Sequence, residues 1–342
     1  MPSVISKKFI HLLSAATVCL CGQAFAQANE IVDTAYVADA IKNGAIVWDV
    51  RSADAYKAGH IAGAVNVGAI TTVLRDPITE NWLPTEQIAK VLGNAGIDVV
   101  NKEMIVYGTG GDPTAYFGLL TVRYFGGMDG KVYHGGINEW KLSGKTVSTD
   151  RTQLSPATVT LAPQNSVVLW TDEMVRKVPD SEAGKVQIVD VRTMQEFSGG
   201  VISAIRGGHI PGALNIPVME NWGNPPTPEM MATGKCDVPE GFLLKPLAKL
   251  KKTYAELNLN KETIVYCQSG VRASETATVL RHIGFRDVKV YKPGWLGYAG
   301  TLTAPADDEV FVNIGALNRR ISGLEARIQD LEQATTETQE QK

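Results

Sequence analysis

Short runs of consecutive apolar residues alternate along the chain with segments in which apolar residues recur every three or four positions. The runs predict buried strands, and the recurring segments predict helices. The predicted strands are Ile46–Val50, Val65–Val67, Met104–Tyr107 and Lys131–Tyr133 in the first half, and Gln187–Val191, Leu214–Ile216, Thr263–Tyr266 and Val288–Tyr291 in the second. The predicted helices between them include Thr85–Gly93, Lys245–Leu257 and Ala273–Ile283. This alternation predicts α/β domains in which a mainly parallel sheet is flanked by helices.

The two halves of the chain repeat the same short motifs in the same order. Asp49-Val-Arg51 is followed by Gly-His60-Ile-Ala-Gly-Ala, and Asp190-Val-Arg192 is followed by Gly-His209-Ile-Pro-Gly-Ala. Self-similarity over most of the chain indicates a duplicated domain. We expect one domain at residues 27–150 and a second at 165–305, joined by a proline-containing linker near residues 146–165.

The segment from Met1 to Ala26 has the pattern of a secretory signal peptide. Lys7 and Lys8 precede a short apolar run, and the sequence Ala24-Phe-Ala26 follows it. The run is too short for a comfortable membrane span, so cleavage after Ala26 and a periplasmic or secreted mature protein are expected, with no membrane span after cleavage. An uncleaved membrane anchor is the alternative.

The C-terminal segment, residues 311–333, has a heptad pattern. Isoleucine and leucine alternate at spacings of three and four through Ile314, Leu317, Ile321, Leu324, Ile328 and Leu331. Isoleucine at each a position with leucine at each d position favours parallel two-stranded coiled coils. We expect a homodimer through residues 314–331; an amphipathic helix folded back on its own domain is the alternative. Residues 334–342 are expected to be disordered.

Composition and charge disfavour several classes of function. The formal net charge is −3, and removal of Lys7 and Lys8 with the signal peptide makes it −5. A mildly acidic chain without a basic stripe does not favour nucleic-acid binding. The mature chain would keep two cysteines, Cys236 and Cys267, too few for a disulfide scaffold. No histidine, cysteine and carboxylate cluster has the spacing of metal ligands, so neither a metal nor an organic cofactor is expected.

Cys267 occupies the one position where special backbone geometry is predicted to present a reactive atom. It follows a predicted strand and precedes a predicted helix, in the sequence Cys267-Gln268-Ser269-Gly270-Val271-Arg272. A turn of this kind points several N–H groups at one centre, and a helix N-terminus adds partial positive charge. With Arg272 nearby, the thiolate of Cys267 is favoured without a histidine base. A buried structural cysteine is the alternative.

The loop Cys-x-x-Gly-x-Arg after an apolar strand resembles the active-site loop of the rhodanese sulfurtransferases, in which the cysteine carries a persulfide sulfur. The Asp-x-Arg and Gly-His-Ile-x-Gly-Ala motifs resemble the first signature of that family, and Gly294-Trp295 resembles its second. The resemblance covers roughly residues 30–145 and 165–303, and it extends to tandem-domain thiosulfate and 3-mercaptopyruvate sulfurtransferases. Phosphatases of the related cell-division type place five residues between cysteine and arginine, whereas this chain has four, which favours sulfur transfer.

The first half lacks the reactive residues. Where the second half has the Cys267 loop, the first has Gly108-Thr-Gly-Gly-Asp112-Pro, so the nucleophile and the arginine are both absent. The resemblance implies an inactive first domain that faces the active cleft. Trp82 and Trp222 are candidates to wall that cleft, with ordinary packing as the alternative.

The resemblance also assigns roles to other polar residues. The Asp-x-Arg and histidine motifs in each half are expected to hold a strand end and the following loop through charge-assisted hydrogen bonds. Two-domain relatives that use mercaptopyruvate contact the anionic substrate with arginines in the region of Arg192 and Arg206. Those two residues, together with Gln268, Ser269, Gly270 and Val271, are therefore predicted to bind substrate, while Cys267 and Arg272 are the predicted catalytic residues.

These observations predict an exported sulfurtransferase that moves sulfane sulfur from thiosulfate or 3-mercaptopyruvate through a Cys267 persulfide. The acceptor would be a thiol, cyanide or a carrier protein. The positive charge of Arg272 favours thiosulfate as the donor. A non-catalytic persulfide carrier remains an alternative, as does a phosphatase or arsenate reductase on the same fold. Cys236, in an insertion at about residues 221–241, is a candidate resolving thiol for Cys267.

Overall fold

The computed structural model describes residues 30–127, 129–224, 243–311 and 314–340. The predicted signal peptide and Cys236 both lie outside these ranges. Within them the chain forms two five-stranded parallel sheets, one in each half, with helices on both faces. This architecture confirms the predicted fold class.

The first sheet has the strand order β1-β6-β5-β2-β4. The strands of this half are β1 (Ile31–Val32), β2 (Ile46–Asp49), β3 (His60–Ile61), β4 (Val65–Asn66), β5 (Met104–Tyr107), β6 (Gly130–Tyr133) and β7 (Val147–Ser148). Its helices are α1 (Thr34–Lys42), α2 (Ala53–Lys57), α3 (Ile70–Val73), α4 (Thr85–Asn94), α5 (Pro113–Tyr124) and α6 (Gly136–Leu142). Strands β3 and β7 form a separate antiparallel pair.

The second sheet repeats this plan in the order β11-β9-β12-β13-β8, and β10 pairs with β14 outside it. The strands are β8 (Val168–Leu169), β9 (Gln187–Asp190), β10 (Arg206–His209), β11 (Ala213–Asn215), β12 (Thr263–Tyr266), β13 (Val288–Tyr291) and β14 (Asp307–Phe311). The helices are α7 (Thr171–Glu182), α8 (Met194–Phe197), a 3-10 turn (Val218–Asn221), α9 (Leu247–Thr253), α10 (Val271–Ile283), α11 (Gly294–Ala299) and α12 (Ile314–Glu340).

Some predicted boundaries differ from the observed ones for local reasons. Pro246 is the N-cap of α9, so this helix begins two residues later than predicted, and it ends at Thr253. Helix α10 begins at Val271, two residues earlier than predicted, because Gly270 is its N-cap in a left-handed conformation with φ of 91°. A glycine adopts that conformation without the steric cost that a Cβ would add.

Matching ion pairs lie at the ends of the interior strands β2 and β9. Arg192 donates from Nε and Nη2 to Asp190 and from Nη2 to the Gly208 carbonyl at 2.7 Å. In the first half Arg51 makes the same contacts with Asp49 and with the Gly59 carbonyl at 2.9 Å. The scaffold role predicted for the two Asp-x-Arg motifs is confirmed.

One continuous apolar core runs through both domains. Helices α5 and α10 pack against each other across the interface. Trp82 is 8 % exposed and lies among Phe117, Tyr124 and Trp170. Trp222 is 5 % exposed. Both tryptophans are therefore packing residues of the core. This outcome agrees with ordinary packing, the alternative to a role in walling the cleft.

Glu275 of α10 is a carboxyl group buried within this core. Its Oε1 accepts a hydrogen bond from Trp222 Nε1 at 2.8 Å, while Oε2 has no hydrogen-bond partner among the described residues. Burial raises the pKa of Glu275 to about 8, hydrogen bonds from Trp222 and Asn221 oppose that shift, and the charge of Asp112 adds to it. The folded protein therefore disfavours the ionised form of this side chain.

Glu275→Gln is expected to stabilise the protein in a pH-dependent way. Because the folded pKa exceeds the unfolded one, the wild type loses stability as pH rises from about 4.5 towards 8, and the neutral amide removes that loss. We expect a stability difference near zero at pH 5 that grows to about 1–3 kcal/mol at pH 8.5. Thermal unfolding of both proteins at the two pH values measures it, with exposed Glu256→Gln as the control. A difference independent of pH contradicts this account.

The long C-terminal helix α12 presents apolar side chains to solvent. Ile321 and Leu324 are each 43 % exposed, and Ile328 and Leu331 are more exposed still. Arg327 lies 3.5 Å from Asp76 of the first domain. Dimerisation through this helix stays a prediction. None of the helices in the described ranges combines the length and apolar character that a membrane span needs.

Candidate active site

The Cys267 loop has the predicted strand-to-helix geometry. Strand β12 ends at Tyr266, Cys267 follows it with 1 % of its surface exposed, and helix α10 begins four residues later. The Gly270 N–H donates to Cys267 Sγ at 3.2 Å. A hydrogen bond from a backbone N–H at a helix N-terminus stabilises negative charge on the sulfur.

A second turn supports the loop from behind. Gly294, at the start of α11, has φ of 58°, and the two residues after it donate backbone N–H groups into the loop. Trp295 N–H donates to the Cys267 carbonyl at 2.8 Å, and Leu296 N–H donates to the Gln268 carbonyl at 2.9 Å. The start of α11 therefore fixes the carbonyl groups of Cys267 and Gln268 by hydrogen bonds.

Arg272 forms a bidentate ion pair with a residue that the sequence analysis did not identify. Both terminal nitrogens of Arg272 lie 2.8 Å from the carboxylate oxygens of Glu196. Burial opposes ionisation of Glu196, but the hydrogen bonds and charge of Arg272, with Thr193, lower its pKa to about 2. Glu196 also closes a capping box with Thr193 at the start of α8. Arg272 is thus held in place, and part of its charge is neutralised.

The predicted substrate-binding residues of the loop have different surroundings. Gln268 donates from Nε2 to the Ser203 carbonyl at 2.9 Å, and Ser269 is 7 % exposed. Gly270 supplies the N–H that faces the sulfur, and Val271 packs against the core. The structure brings these four residues together around Cys267, and their contact with substrate stays a prediction.

Arg192 and Arg206 are buried and engaged with protein groups. Arg192 is bound to Asp190 and to the Gly208 carbonyl, as described above. Arg206 pairs with Glu309 and donates to the Thr301 and Ala304 carbonyls at 3.0 and 2.9 Å. These contacts give both guanidinium groups a structural role, and their assignment to substrate binding stays a prediction.

The matching loop of the first domain has a different composition. Asp112 caps helix α5 there, and its Oδ1 accepts a hydrogen bond from the Thr114 N–H at 2.8 Å. Burial raises the pKa of Asp112. The loop carries neither a thiol nor a basic side chain. Among the residues that the structure describes, no group of three or more histidine, cysteine or acidic side chains could hold a metal ion.

Comparisons with known proteins agree with this geometry. A family model described as the rhodanese-like domain matches residues 33–143 and 179–301. A protein of Mycolicibacterium smegmatis named "Putative thiosulfate sulfurtransferase" is 32 % identical over 265 residues, which cover 74 % of this chain and 87 % of the relative. The protein of Corynebacterium glutamicum named thiosulfate sulfurtransferase is 30 % identical over 267 residues, covering 74 % of this chain and 81 % of the relative.

Similar solved structures include the anaerobic ergothioneine biosynthesis enzyme from Chlorobium limicola. Its complex with trimethyl histidine superimposes with a TM-score of 0.70 at 22 % identity, covering 82 % of this chain and 70 % of that one. At this identity the likeness concerns the fold alone.

Proposed function

Because the chain belongs to the rhodanese-like domain family, we propose that it is a sulfurtransferase that carries sulfur on Cys267. The observation that carries this proposal is the position of the Cys267 sulfur, which lies at a helix N-terminus and accepts the Gly270 N–H. This arrangement suits a sulfur atom that is negatively charged before and after it receives a second sulfur.

The proposed reaction has two displacement steps. In the first, the Cys267 thiolate attacks the outer sulfur of thiosulfate, a new S–S bond forms, and the donor S–S bond breaks with its electron pair leaving on sulfite. In the second, an acceptor thiolate or cyanide attacks the terminal sulfur of the persulfide, and the Cys267–sulfur bond breaks to regenerate the thiolate. The protein then cycles in a ping-pong manner.

The charge at the loop supports thiosulfate as the donor. Burial lowers the pKa of Arg272, but the hydrogen bond to Glu196 and the negative charge of Cys267 raise it above its ordinary value. Arg272 is therefore charged and lies beside Cys267. A sulfonate group carries full negative charge that a guanidinium binds in a bidentate manner. We therefore place the leaving sulfite near Arg272. 3-Mercaptopyruvate, with one carboxylate, is the second donor to be tested.

Glu196→Gln is expected to strengthen binding of thiosulfate. The wild-type carboxylate competes with the donor for Arg272 and repels a dianion, and with a pKa of about 2 it is ionised at every working pH. We expect KM for thiosulfate to fall about threefold to tenfold, with a smaller change in kcat. Sulfite release at varied thiosulfate concentration measures both constants.

The control for this variant is Glu262→Gln, which removes a carboxylate from the pairs with Lys177 and Lys289, at the opposite end of strand β12 from Cys267. We expect this control to leave KM unchanged. A rise in KM for Glu196→Gln shows instead that the donor needs Arg272 fixed by the carboxylate, and it contradicts the competition described here.

We also propose that the protein acts after export, with cleavage following Ala26, and that α12 links two copies through residues 314–331. The exposed apolar side chains of α12 support the second proposal. Small thiols, cyanide and a carrier protein are the proposed acceptors. The burial of Cys267, which shields a persulfide from solvent, favours a persulfide carrier as the second candidate function.

Steady-state turnover distinguishes these functions. Sulfite release from thiosulfate and pyruvate release from 3-mercaptopyruvate would be followed with cyanide or a small thiol as the acceptor. The proposal predicts multiple turnovers, with thiosulfate the better donor. A single equivalent of sulfite without further turnover would assign the carrier function. Absence of sulfite and pyruvate release would overturn the proposal.

A further inference from the structure

Lys292 lies wholly inside the protein, directly behind the Cys267 loop, and has no exposed surface. It follows strand β13. The loop packs so closely on it that a Cβ placed at Gly270 would lie 2.8 Å from the Lys292 carbonyl oxygen and 2.9 Å from Lys292 Cδ. Its Nζ lies 3.4 Å from the Ser269 carbonyl. The ammonium group therefore borders the same short loop that positions the Cys267 sulfur.

The other side of the ammonium group faces the first domain. Nζ donates to the Glu80 carbonyl at 2.7 Å and lies 5.2 Å from the ring centre of Trp82 and 5.3 Å from that of Phe117. These two rings stack on each other with centres 5.6 Å apart. Carbonyl oxygens and aromatic faces are the partners that bind a protonated amine, because each presents negative potential to an N–H donor.

The backbone of Glu80 is arranged for this contact. Glu80 has φ of 54°, in the left-handed region that a non-glycine residue adopts at a cost. Its carbonyl accepts a second hydrogen bond, from Arg75 Nε at 2.7 Å. The carbonyl of the first domain that binds Lys292 of the second domain thus belongs to a residue with strained backbone.

Charge couples Lys292 to the cysteine. Burial lowers the pKa of Lys292 well below its usual value and Arg75 lowers it further, whereas the negative charges of Cys267 and Glu80 oppose the shift, so the ammonium form is favoured when the cysteine sulfur is an anion. This effect is mutual: a thiolate at Cys267 stabilises the protonated form of Lys292, and the protonated Lys292 stabilises the thiolate. In the buried, weakly screened environment behind the loop, this attraction is stronger than between exposed groups.

The internal repeat offers a comparison within the same chain. The residue that matches Lys292 in the first half is His134, between Tyr133 and Gly135, and its Nδ1 lies 2.7 Å from the hydroxyl of Tyr116. That half has no cysteine in its loop. The lysine thus occurs in the half that carries the nucleophile.

We infer that Lys292 is a positioning residue for Cys267: its buried ammonium, held by Glu80, Trp82 and Phe117 of the first domain, stabilises the anionic forms of the cysteine sulfur. For the thiolate this inference rests on the packing of Lys292 against the loop, on its partners in the first domain and on its charge coupling to Cys267, and for the persulfide it rests on the proposed function. The first domain, which lacks a nucleophile, completes the active site of the second through this lysine.

The test is the pH dependence of Cys267 alkylation by iodoacetamide in the full chain, followed by intact mass. The variants are Lys292→Met, which keeps the length of the side chain without its charge, and Lys292→Gln, which keeps a donor for the Glu80 carbonyl. Lys289→Met is the matched control, because Lys289 lies in strand β13, three residues before Lys292, and its charge is paired with Glu262. The other charged side chains that act on Lys292, Arg75 and Glu80, are unchanged in all three.

We expect Lys292→Met and Lys292→Gln to lower the alkylation rate at pH 7 by about tenfold and to shift the midpoint of the profile towards alkaline pH. The rate on the alkaline plateau should match that of the wild type. A disturbance of packing alone would change the plateau and leave the midpoint in place. The Lys289→Met profile should superimpose on that of the wild type.

Superimposable profiles for wild type and folded Lys292→Met would overturn the inference. Thermal unfolding shows whether this variant is folded; if it is not, Lys292→Gln gives the same reading. Alkylation needs no sulfur donor, so the outcome is independent of sulfur transfer. If the midpoint shifts but thiosulfate leaves no persulfide, the proposed function fails while the role of Lys292 in holding a thiolate stands.

Discussion

Cys267→Ser is expected to lower thiosulfate-dependent turnover by at least about 10³-fold. A serine hydroxyl is a poor nucleophile towards sulfur, and at neutral pH it does not ionise as a thiol does. The substitution is close to isosteric, and the Gly270 N–H that now points at the sulfur can point at the hydroxyl oxygen. Release of sulfite and formation of thiocyanate from cyanide both measure the loss.

The control for this experiment is Cys236→Ser. If Cys267 acts without a resolving partner, this variant keeps the turnover of the wild type. A comparable loss in both variants would show that the two thiols act together, with Cys236 as the resolving thiol for Cys267. Substantial turnover in folded Cys267→Ser would contradict the assignment of the nucleophile.

Gly294→Ala is expected to remove most of the activity without touching the reactive atoms. The residue has φ of 58°, and an added Cβ would lie 2.5 Å from the Cys267 carbonyl and 2.6 Å from the Gln268 carbonyl. Contacts that short cannot form, so the Cys267 loop must move away from α11. A displacement of about 1 Å at a reacting group can cost about 10²-fold in rate. Turnover under saturating thiosulfate measures the effect.

The matched control is Gly300→Ala at the other end of the same helix. Gly300 has a right-handed conformation with φ of −69°, and the nearest atom to an added Cβ lies 3.5 Å away. We expect this variant to keep at least about half of the wild-type turnover, since it introduces no overlap. Equal activity of Gly294→Ala and wild type would mean that the α11 turn does not hold the loop.

Much of the fold could be predicted because the same pattern occurs twice. The middle strands of the two sheets, β5 and β12, are each four buried residues long and share the sequence Ile-Val-Tyr. Some strands that the sequence did not reveal, β1 and β8 among them, are two residues long. A segment that short has no periodicity, and its strand character comes from pairing with β6 and β13.

The local part of the candidate site could also be predicted, since Cys267 and Arg272 lie within one turn between a strand and a helix. The contacts made at long range could not. Glu196 is 76 residues from the arginine that it pairs with, and Lys292 is 212 residues from the carbonyl that holds it. One signal was present in the repeat: Lys292 occupies the position of His134.

The burial of Trp82 shows a further limit of sequence reasoning. As an isolated aromatic residue it suits either a cleft wall or a core. Its position is decided by Tyr124 and Trp170, whose rings lie 4.4 and 6.4 Å from it and come from other segments of the chain. Only the packing of the two domains against each other distinguishes the two interpretations.

The most direct test of the central claim is the intact mass of the protein before and after exposure to thiosulfate. The account predicts a gain of about 32 Da, one sulfur atom, with stoichiometric release of sulfite, and loss of that gain when cyanide is added. Fragmentation should place the added sulfur on Cys267, and Cys267→Ser should show no gain. An unchanged wild-type mass with thiosulfate and with 3-mercaptopyruvate would contradict the persulfide account.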